Sequence, residues 1–169
     1  MNEGLTEIFC GRGRGITTLA LGQSLKASVQ GKSVIIIQFL KGKERRELDI
    51  LEELEGQDIK IFRFEKMDNC YADLTEEEKK EENLNILNAV NFARKVIATQ
   101  ECDFLVLDEV LGLLDIGIIP TETIIEILGH KDPSMHIVMT GWTYPKELEP
   151  YVDSVTTITT EEIRKDTTE

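Results

Sequence analysis

The chain has 169 residues, enough for one domain with a single substantial core, and 41% hydrophobic with 30% charged residues describes a globular protein. A net charge of −13 argues against general nucleic-acid binding, which needs a basic surface, and no apolar run approaches the length of a membrane span. The first residues lack the basic and apolar regions of a signal peptide, and Cys10, Cys70 and Cys102 form no C-x-x-C pair, which fits a reducing cytoplasm.

The charge is unevenly spread. Residues 1–43 carry Arg12, Arg14, Lys26, Lys32, Lys41 and Lys43 against only Glu3 and Glu7, whereas the rest of the chain holds 30 of the 32 acids. A basic pole on an acidic body suits a small anionic ligand.

In chain order, residues 5–9 alternate as a first strand and lead into Cys10-Gly11-Arg12-Gly13-Arg14-Gly15-Ile16-Thr17-Thr18. Three glycines at every second position free a loop's amides to wrap an anion, and a helix over 17–30 then offers its N-terminal amides to the same point. Leu19, Leu21, Leu25 and Val29 are its apolar positions, and Gly31 ends it. The run Val34-Ile35-Ile36-Ile37-Gln38-Phe39-Leu40 reads as a strand covered on both faces, with Lys41-Gly42-Lys43 at the end where open α/β sheets place ligands. Residues 44–54 read as a charged helix, 59–64 as a third strand and 67–74 as a loop. Thr75-Glu76-Glu77-Glu78 is a capping box opening a long helix towards Thr99. Its expected inward face is Leu84, Leu87, Val90, Phe92 and Val96, with residues 76–82 in solvent.

Phe104-Leu105-Val106-Leu107-Asp108-Glu109 has the form of an apolar strand carrying paired carboxylates to a sheet edge, where one can hold Mg²⁺ and the other can orient water or substrate. A helix over 121–128, a strand over 136–139 tipped by Thr140-Gly141-Trp142, a short helix over 145–151 and a strand over 155–158 complete the alternation. His130 and His136 lack metal-ligand spacing and read as a loop and a strand-edge histidine. Strand and helix alternate without repeat or linker, which predicts one α/β domain over 1–158 with a mostly parallel, doubly wound sheet. Residues 159–169 are polar and expected to fray.

Over residues 4–158 these motifs resemble the ATP:corrinoid adenosyltransferases. The resemblance rests on the glycine loop with Thr17-Thr18-Leu19-Ala20-Leu21-Gly22, on Gln38-Phe39-Leu40-Lys41-Gly42, on Leu107-Asp108-Glu109, and on Thr140-Gly141 with Pro145-Lys146-Glu147-Leu148. It implies a three-layer P-loop NTPase-like fold with helices on both faces, and transfer of the 5′-deoxyadenosyl group of ATP to a Co(I) corrinoid with release of tripolyphosphate. It further implies that Gly11, Gly13, Gly15, Thr17 and Thr18 cradle the nucleotide's phosphates; Arg12 and Arg14, by their placement between those glycines, are read as adding positive charge to the same nucleotide site. Thr17 and Glu109 would be catalytic and serve Mg²⁺, and Lys41, Met67 and Tyr71 would lie on the corrinoid side.

The departures matter as much. The family's loop reads Gly-Asn-Gly-Lys-Gly-Lys-Thr-Thr, so Arg12 replaces an asparagine, Arg14 a lysine and Ile16 a second lysine. Trp142 stands where arginine is usual, and the family's lysine-, histidine- and glycine-rich closing segment is replaced. Each lost charged hydrogen bond is worth about 1.5–3 kcal/mol. Two readings stay open: an adenosyltransferase with a remodelled loop, and an impaired relative that binds nucleotide or corrinoid without turnover. A generic phosphohydrolase fits less well, given the Gln-Phe-x-Lys-Gly element. The sequence leaves homodimerisation open.

Overall fold

A strand packed on both faces needs apolar residues at every position, and VIIIQ and FLVLD are both buried from end to end. The computed structural model describes residues 3–41, 51, 53–54 and 56–163. Six strands form one sheet: β1 (Thr6–Cys10), β2 (Val34–Gln38), β3 (Ile59–Arg63), β4 (Phe104–Asp108), β5 (His136–Gly141) and β6 (Ser154–Thr157). Their order is β3-β2-β4-β5-β1-β6, and every pair is parallel. The helices are α1 (Ile16–Val29), α2 (Glu76–Ala98), α3 (Val110–Asp115) and α4 (Thr121–Leu128). The helix expected over 44–54 lies largely outside the described residues, and no described helix is long and apolar enough to cross a membrane.

Alternation along the strands separates two cores. Ile8, Ile35, Ile37, Leu105, Leu107, Ile137 and Met139 face α2, α3 and α4. Phe9, Val34, Ile36, Phe104, Val106 and Val138 face α1. The result is three layers, helices on both sides of the sheet. In a parallel sheet every strand ends at the same edge, so the ends of β1, β2, β4 and β5 converge where the glycine stretch and Asp108 lie.

Several sequence expectations are corrected. The sheet-facing side of α1 is Ala20, Ser24, Ala27 and Ser28, while Leu25 and Val29 are exposed. Small side chains let this helix approach the sheet closely, while Leu19 and Leu21 pack half-buried against the same core. On α2 the buried series is Glu82, Ile86, Ala89, Val90, Ala93, Val96 and Ile97, an i, i+4, i+7 stripe. Leu84 is 64% exposed and Leu87 also faces outward, because they fall on the neighbouring face. Phe92 is half-buried, tilted against Phe62 with centroids 4.6 Å apart. The Thr75–Glu78 capping box forms as expected. Residues 67–74 contain a short 3₁₀ turn, Tyr71–Asp73. α3 had no sequence signal, since six residues hold under two turns.

Glu82, expected in solvent, is 2% exposed and accepts hydrogen bonds from the Lys66 (2.7 Å) and Met67 (3.2 Å) amides. Beside it, Glu65 accepts the amide of Leu40. Together the two carboxylates fasten the chain after β3 to α2 and to the turn after β2. Burial pushes the Glu65 carboxyl up to about 7 from 4.5; the Leu40 and Lys41 amides oppose this and the Glu82 charge adds to it.

A folded-state value above the unfolded one means that the folded protein holds this proton between pH 4.5 and 7. Glu65 therefore contributes stability that is present below pH 4.5, declines through that window and is flat above pH 7. Urea unfolding at pH 5 and pH 8 should show the stability difference between Glu65→Gln and the parent shifting in the variant's favour by about 2.5 kcal/mol. A difference constant with pH would contradict this assignment.

Candidate functional site

β1 ends at Cys10, and the glycines that follow do two different jobs. Gly11 has φ +124°, and a Cβ there would lie 2.2 Å from the Ile158 carbonyl oxygen; one on Gly13 would lie 2.8 Å from the same atom. Both glycines thus admit the chain leaving β6. Ile158 donates its amide to the Cys10 carbonyl (2.8 Å) and accepts from the Gly13 amide (3.1 Å), while Gly11 donates to Trp142 O (2.9 Å). The Arg14 amide donates to Thr160 Oγ1 (2.8 Å), so residues 158–160 lie across the loop rather than fraying from it. Arg12 is exposed, and Arg14, its side chain 88% exposed, reaches Glu162 alone among the described residues, at 3.7 Å. Such a surface pair contributes about 0–1 kcal/mol.

Gly15 differs. Its φ of +96° opens α1 as the N-cap, no side chain caps the helix, and nothing lies within 4 Å of a Cβ built there. The amides of Gly15, Ile16, Thr17 and Thr18 have no acceptor among the described residues. Four unpaired donors at a positive dipole end form an anion-binding arrangement. They open on a hollow of about 170 Å³ lined by Gly13, Gly15, Thr17, Thr18, Glu109 and Trp142, among others.

Asp108, at the tip of β4 and 1% exposed, is the hub of the site. Register sets it beside Gln38 of β2, whose Nε2 donates to Oδ2 at 3.0 Å. The Gln38 amide is oriented in turn by Arg63 Nε, which donates to Oε1 at 2.7 Å. From β5, the buried Thr140 hydroxyl donates to Oδ1 (2.8 Å) and accepts the Glu109 amide (2.8 Å). From α1, the Thr17 hydroxyl donates to Oδ1 (3.0 Å). Lys41 completes the set: its Nζ lies 3.0 Å from Asp108 Oδ2 and donates to Thr17 Oγ1 at 2.8 Å. Leu40 makes this reach possible. Its φ of 58° turns the chain back at the end of β2, and Glu65 holds its amide. Among described non-glycine residues only Leu40, Gln100 and Glu109 have positive φ, and two of the three flank this hub.

Glu109 makes no side-chain hydrogen bond among the described residues, and burial, then the Asp108 charge, raises its pKa. It faces both the loop hollow and a neighbouring one of about 240 Å³ with Leu40, Lys41, Cys70 and Trp142. Trp142 is 63% exposed. A larger cavity of about 450 Å³ continues past Leu40 and Cys70 to Tyr71, Lys79 and Ile116. Tyr71 is fixed there by its hydroxyl, which donates to Asn83 Oδ1 at 2.7 Å, but Met67 does not line this cavity. His136 lies at the opposite sheet edge, bonded to Glu7 at 2.8 Å and stacked on Phe104.

Of the residues singled out in the sequence, Gly13, Gly15, Thr17, Thr18, Lys41, Tyr71 and Glu109 surround the connected hollows. Arg12 and Arg14 point away. Gln38 and Thr140 carried no functional assignment, and Asp108 was noted only beside Glu109; their signal was a polar residue closing an otherwise apolar strand. A divalent cation shared by Thr17 and Glu109 does not fit these residues. The Thr17 hydroxyl is committed to Asp108 and Lys41, and an ammonium 2.8 Å from that oxygen would repel the ion. No three His, Cys, Asp or Glu side chains cluster as a metal site among the described residues.

The sequence model of the ATP:corrinoid adenosyltransferase family BtuR/CobO/CobP matches residues 2–166. The chain belongs to this family. A corrinoid adenosyltransferase of Escherichia coli (strain K12) is 23% identical over 154 residues, covering 90% of this chain and 75% of its own length. The corrinoid adenosyltransferase CobA of Salmonella typhimurium (strain LT2) is 26% identical over the same spans. Among solved structures, a KaiC-like protein of Pyrococcus horikoshii OT3 matches 93% of this chain and 72% of its own, with TM-score 0.59 and 16% identity. That likeness concerns the fold alone, and with the all-parallel sheet it makes this a three-layer P-loop NTPase-like α/β domain. For this adenosyltransferase-family chain, two glycine substitutions should act with opposite sign. Gly11→Ala meets both a positive φ and a backbone oxygen 2.2 Å away, and should cost more than about 2 kcal/mol in urea unfolding. Gly22→Ala, inside α1 with open space at its Cβ, should gain about 0.5–1 kcal/mol. Equal effects would contradict the packing role of the loop.

Proposed function

We propose that this chain transfers the 5′-deoxyadenosyl group of ATP to a reduced corrinoid. Co(I) of the corrinoid substrate supplies the electron pair that forms a bond to C5′; the C5′–O bond breaks, and its electrons leave on tripolyphosphate. The protein's tasks are then to hold the triphosphate, keep its negative charge stabilised as it departs, and bring the corrinoid to C5′. The observation that carries this reading is the row of four unpaired amides from Gly15 to Thr18, opening on a hollow shared with Glu109 and Trp142. Thr17 and Thr18 lie at that helix entrance as phosphate contacts. The cavity past Leu40, Cys70 and Tyr71 is the space we assign to the corrinoid, continuous with the hollow through Glu109. Mg²⁺ is given no step, since the Thr17 position does not fit it. Glu109, the unpaired carboxylate between the two hollows, is proposed to contact the nucleotide where it meets the corrinoid.

The second reading, a binder without turnover, is favoured by Ile16. It places a branched apolar side chain in the loop hollow and supplies no charge.

An anaerobic single-turnover assay with ATP and chemically reduced corrinoid separates the two. The adenosyltransferase reading predicts adenosylated corrinoid, followed by its absorbance change, and tripolyphosphate in equal amounts. It also predicts that Glu109→Gln lowers the rate at least tenfold while the thermal midpoint holds or rises, because a carboxylate raised by burial is removed. Ile16→Lys should tighten ATP binding by about tenfold, the value of one charged contact. Corrinoid binding with no adenosylation in the parent would leave the binder reading. Equal rates for parent and Glu109→Gln would remove that residue from the reaction.

A further inference from the structure

We propose that the Lys41 ammonium is a built-in cation: bridging Thr17 and Asp108, it occupies the place at the Thr17 hydroxyl that a divalent ion would need, and it neutralises triphosphate there without a metal. The inference rests on the nucleotide reading above and concerns the charge that the loop itself no longer supplies.

Three observations converge on it. The first is geometry. Nζ donates to Thr17 Oγ1 at 2.8 Å and lies 3.0 Å from Asp108 Oδ2, so one ammonium bridges the helix that carries the unpaired amides and the carboxylate at the tip of β4. An ammonium has three N–H donors. Two are accounted for, and the residue lines the hollow of about 240 Å³ that shares Glu109 and Trp142 with the loop hollow, so the third can meet a phosphate oxygen where the two adjoin.

The second is the fate of the other cations. Ile16 stands at the helix entrance without charge, Arg12 is exposed, and Arg14 extends to Glu162 with its side chain 88% exposed. The Lys41 side chain is 17% exposed. A partly buried ammonium is screened little by salt and holds its orientation, which an arginine in solvent does not.

The third is how firmly Lys41 is placed. Leu40 adopts φ 58°, uncommon for leucine, and its amide is held by Glu65, itself packed beside Glu82. The Asp108 carboxylate has donors from Gln38, Thr17 and Thr140 as well as Lys41. A metal entering this position would have to displace the ammonium from both Thr17 and Asp108.

Calorimetric titration with ATP, and separately with inorganic tripolyphosphate, should be run in Mg²⁺ and in EDTA on the parent, Lys41→Met and Lys41→Gln. The glutamine keeps a hydrogen-bond donor without charge, and guards against a methionine variant that fails to fold. The proposal expects parent affinity to change less than threefold between Mg²⁺ and EDTA. Both variants should bind at least tenfold more weakly in EDTA and recover at least threefold in Mg²⁺, because Thr17 and Asp108 are then open to the ion. A nucleotide-free arm reads the same position directly: Mg²⁺ should raise the thermal midpoint of the variants and leave the parent's unchanged. A tenfold loss for the parent in EDTA, variants that bind as the parent does, or equal Mg²⁺ responses without nucleotide would each overturn the proposal. If the parent binds neither polyphosphate in either condition, the nucleotide reading fails, and the thermal arm alone decides whether Lys41 fills a cation position.

Discussion

A carboxylate that is 1% exposed has to be satisfied by the protein itself, and Asp108 is satisfied by groups from every part of the fold that reaches its edge of the sheet. Gln38 comes from β2, Thr140 from β5, Thr17 from α1 and Lys41 from the turn after β2. Burying such a charge is unfavourable unless it is paired and fully hydrogen-bonded, and leaving one uncompensated costs about 3–5 kcal/mol. The partners are therefore held together as a set. β1 and β4 are not neighbours; β5 stands between them. The Thr17 hydroxyl ties the glycine loop's helix to that carboxylate directly, and the Thr140 hydroxyl ties β5 to the same oxygen.

The loop shows how one sequence feature can serve two purposes. Glycines at alternate positions suggest a phosphate wrap, yet Gly11 and Gly13 are close against Ile158, and only Gly15 stands open at the helix entrance. Residues 158–160 satisfy the Gly13 and Arg14 amides from within the protein. That leaves the anion-binding donors concentrated in Gly15 to Thr18, one turn of α1, instead of along the whole loop. Among the described residues, the basic pole of the sequence contributes Lys41 to the site, while both loop arginines face solvent.

Much of the fold was legible in the sequence because its signals are local. The β-branched run of β2, the Thr75–Glu78 capping box and the apolar strand ending in Asp108-Glu109 each state their structure within a few residues. What was not legible depends on neighbours distant in sequence. The burial of Glu82 at the start of the inward face of α2 depends on the Lys66 and Met67 amides, which no periodicity announces. Gln38 and Thr140 become site residues only through register, which sets them beside Asp108. Lys41 was assigned to the corrinoid side because it follows β2; the left-handed turn at Leu40 that swings it onto Thr17 and Asp108 has no sequence signature.

The central claim is that Lys41 and Asp108 act as one unit that joins the glycine-loop helix to the sheet. A double-mutant cycle on folding stability with Lys41→Met and Asp108→Asn tests it most directly. The account predicts a strong coupling, on the order of 1.5–3 kcal/mol, with the double variant more stable than Lys41→Met alone because the orphaned charge is removed with its partner. Additive losses, with the double variant the least stable of the set, would contradict it.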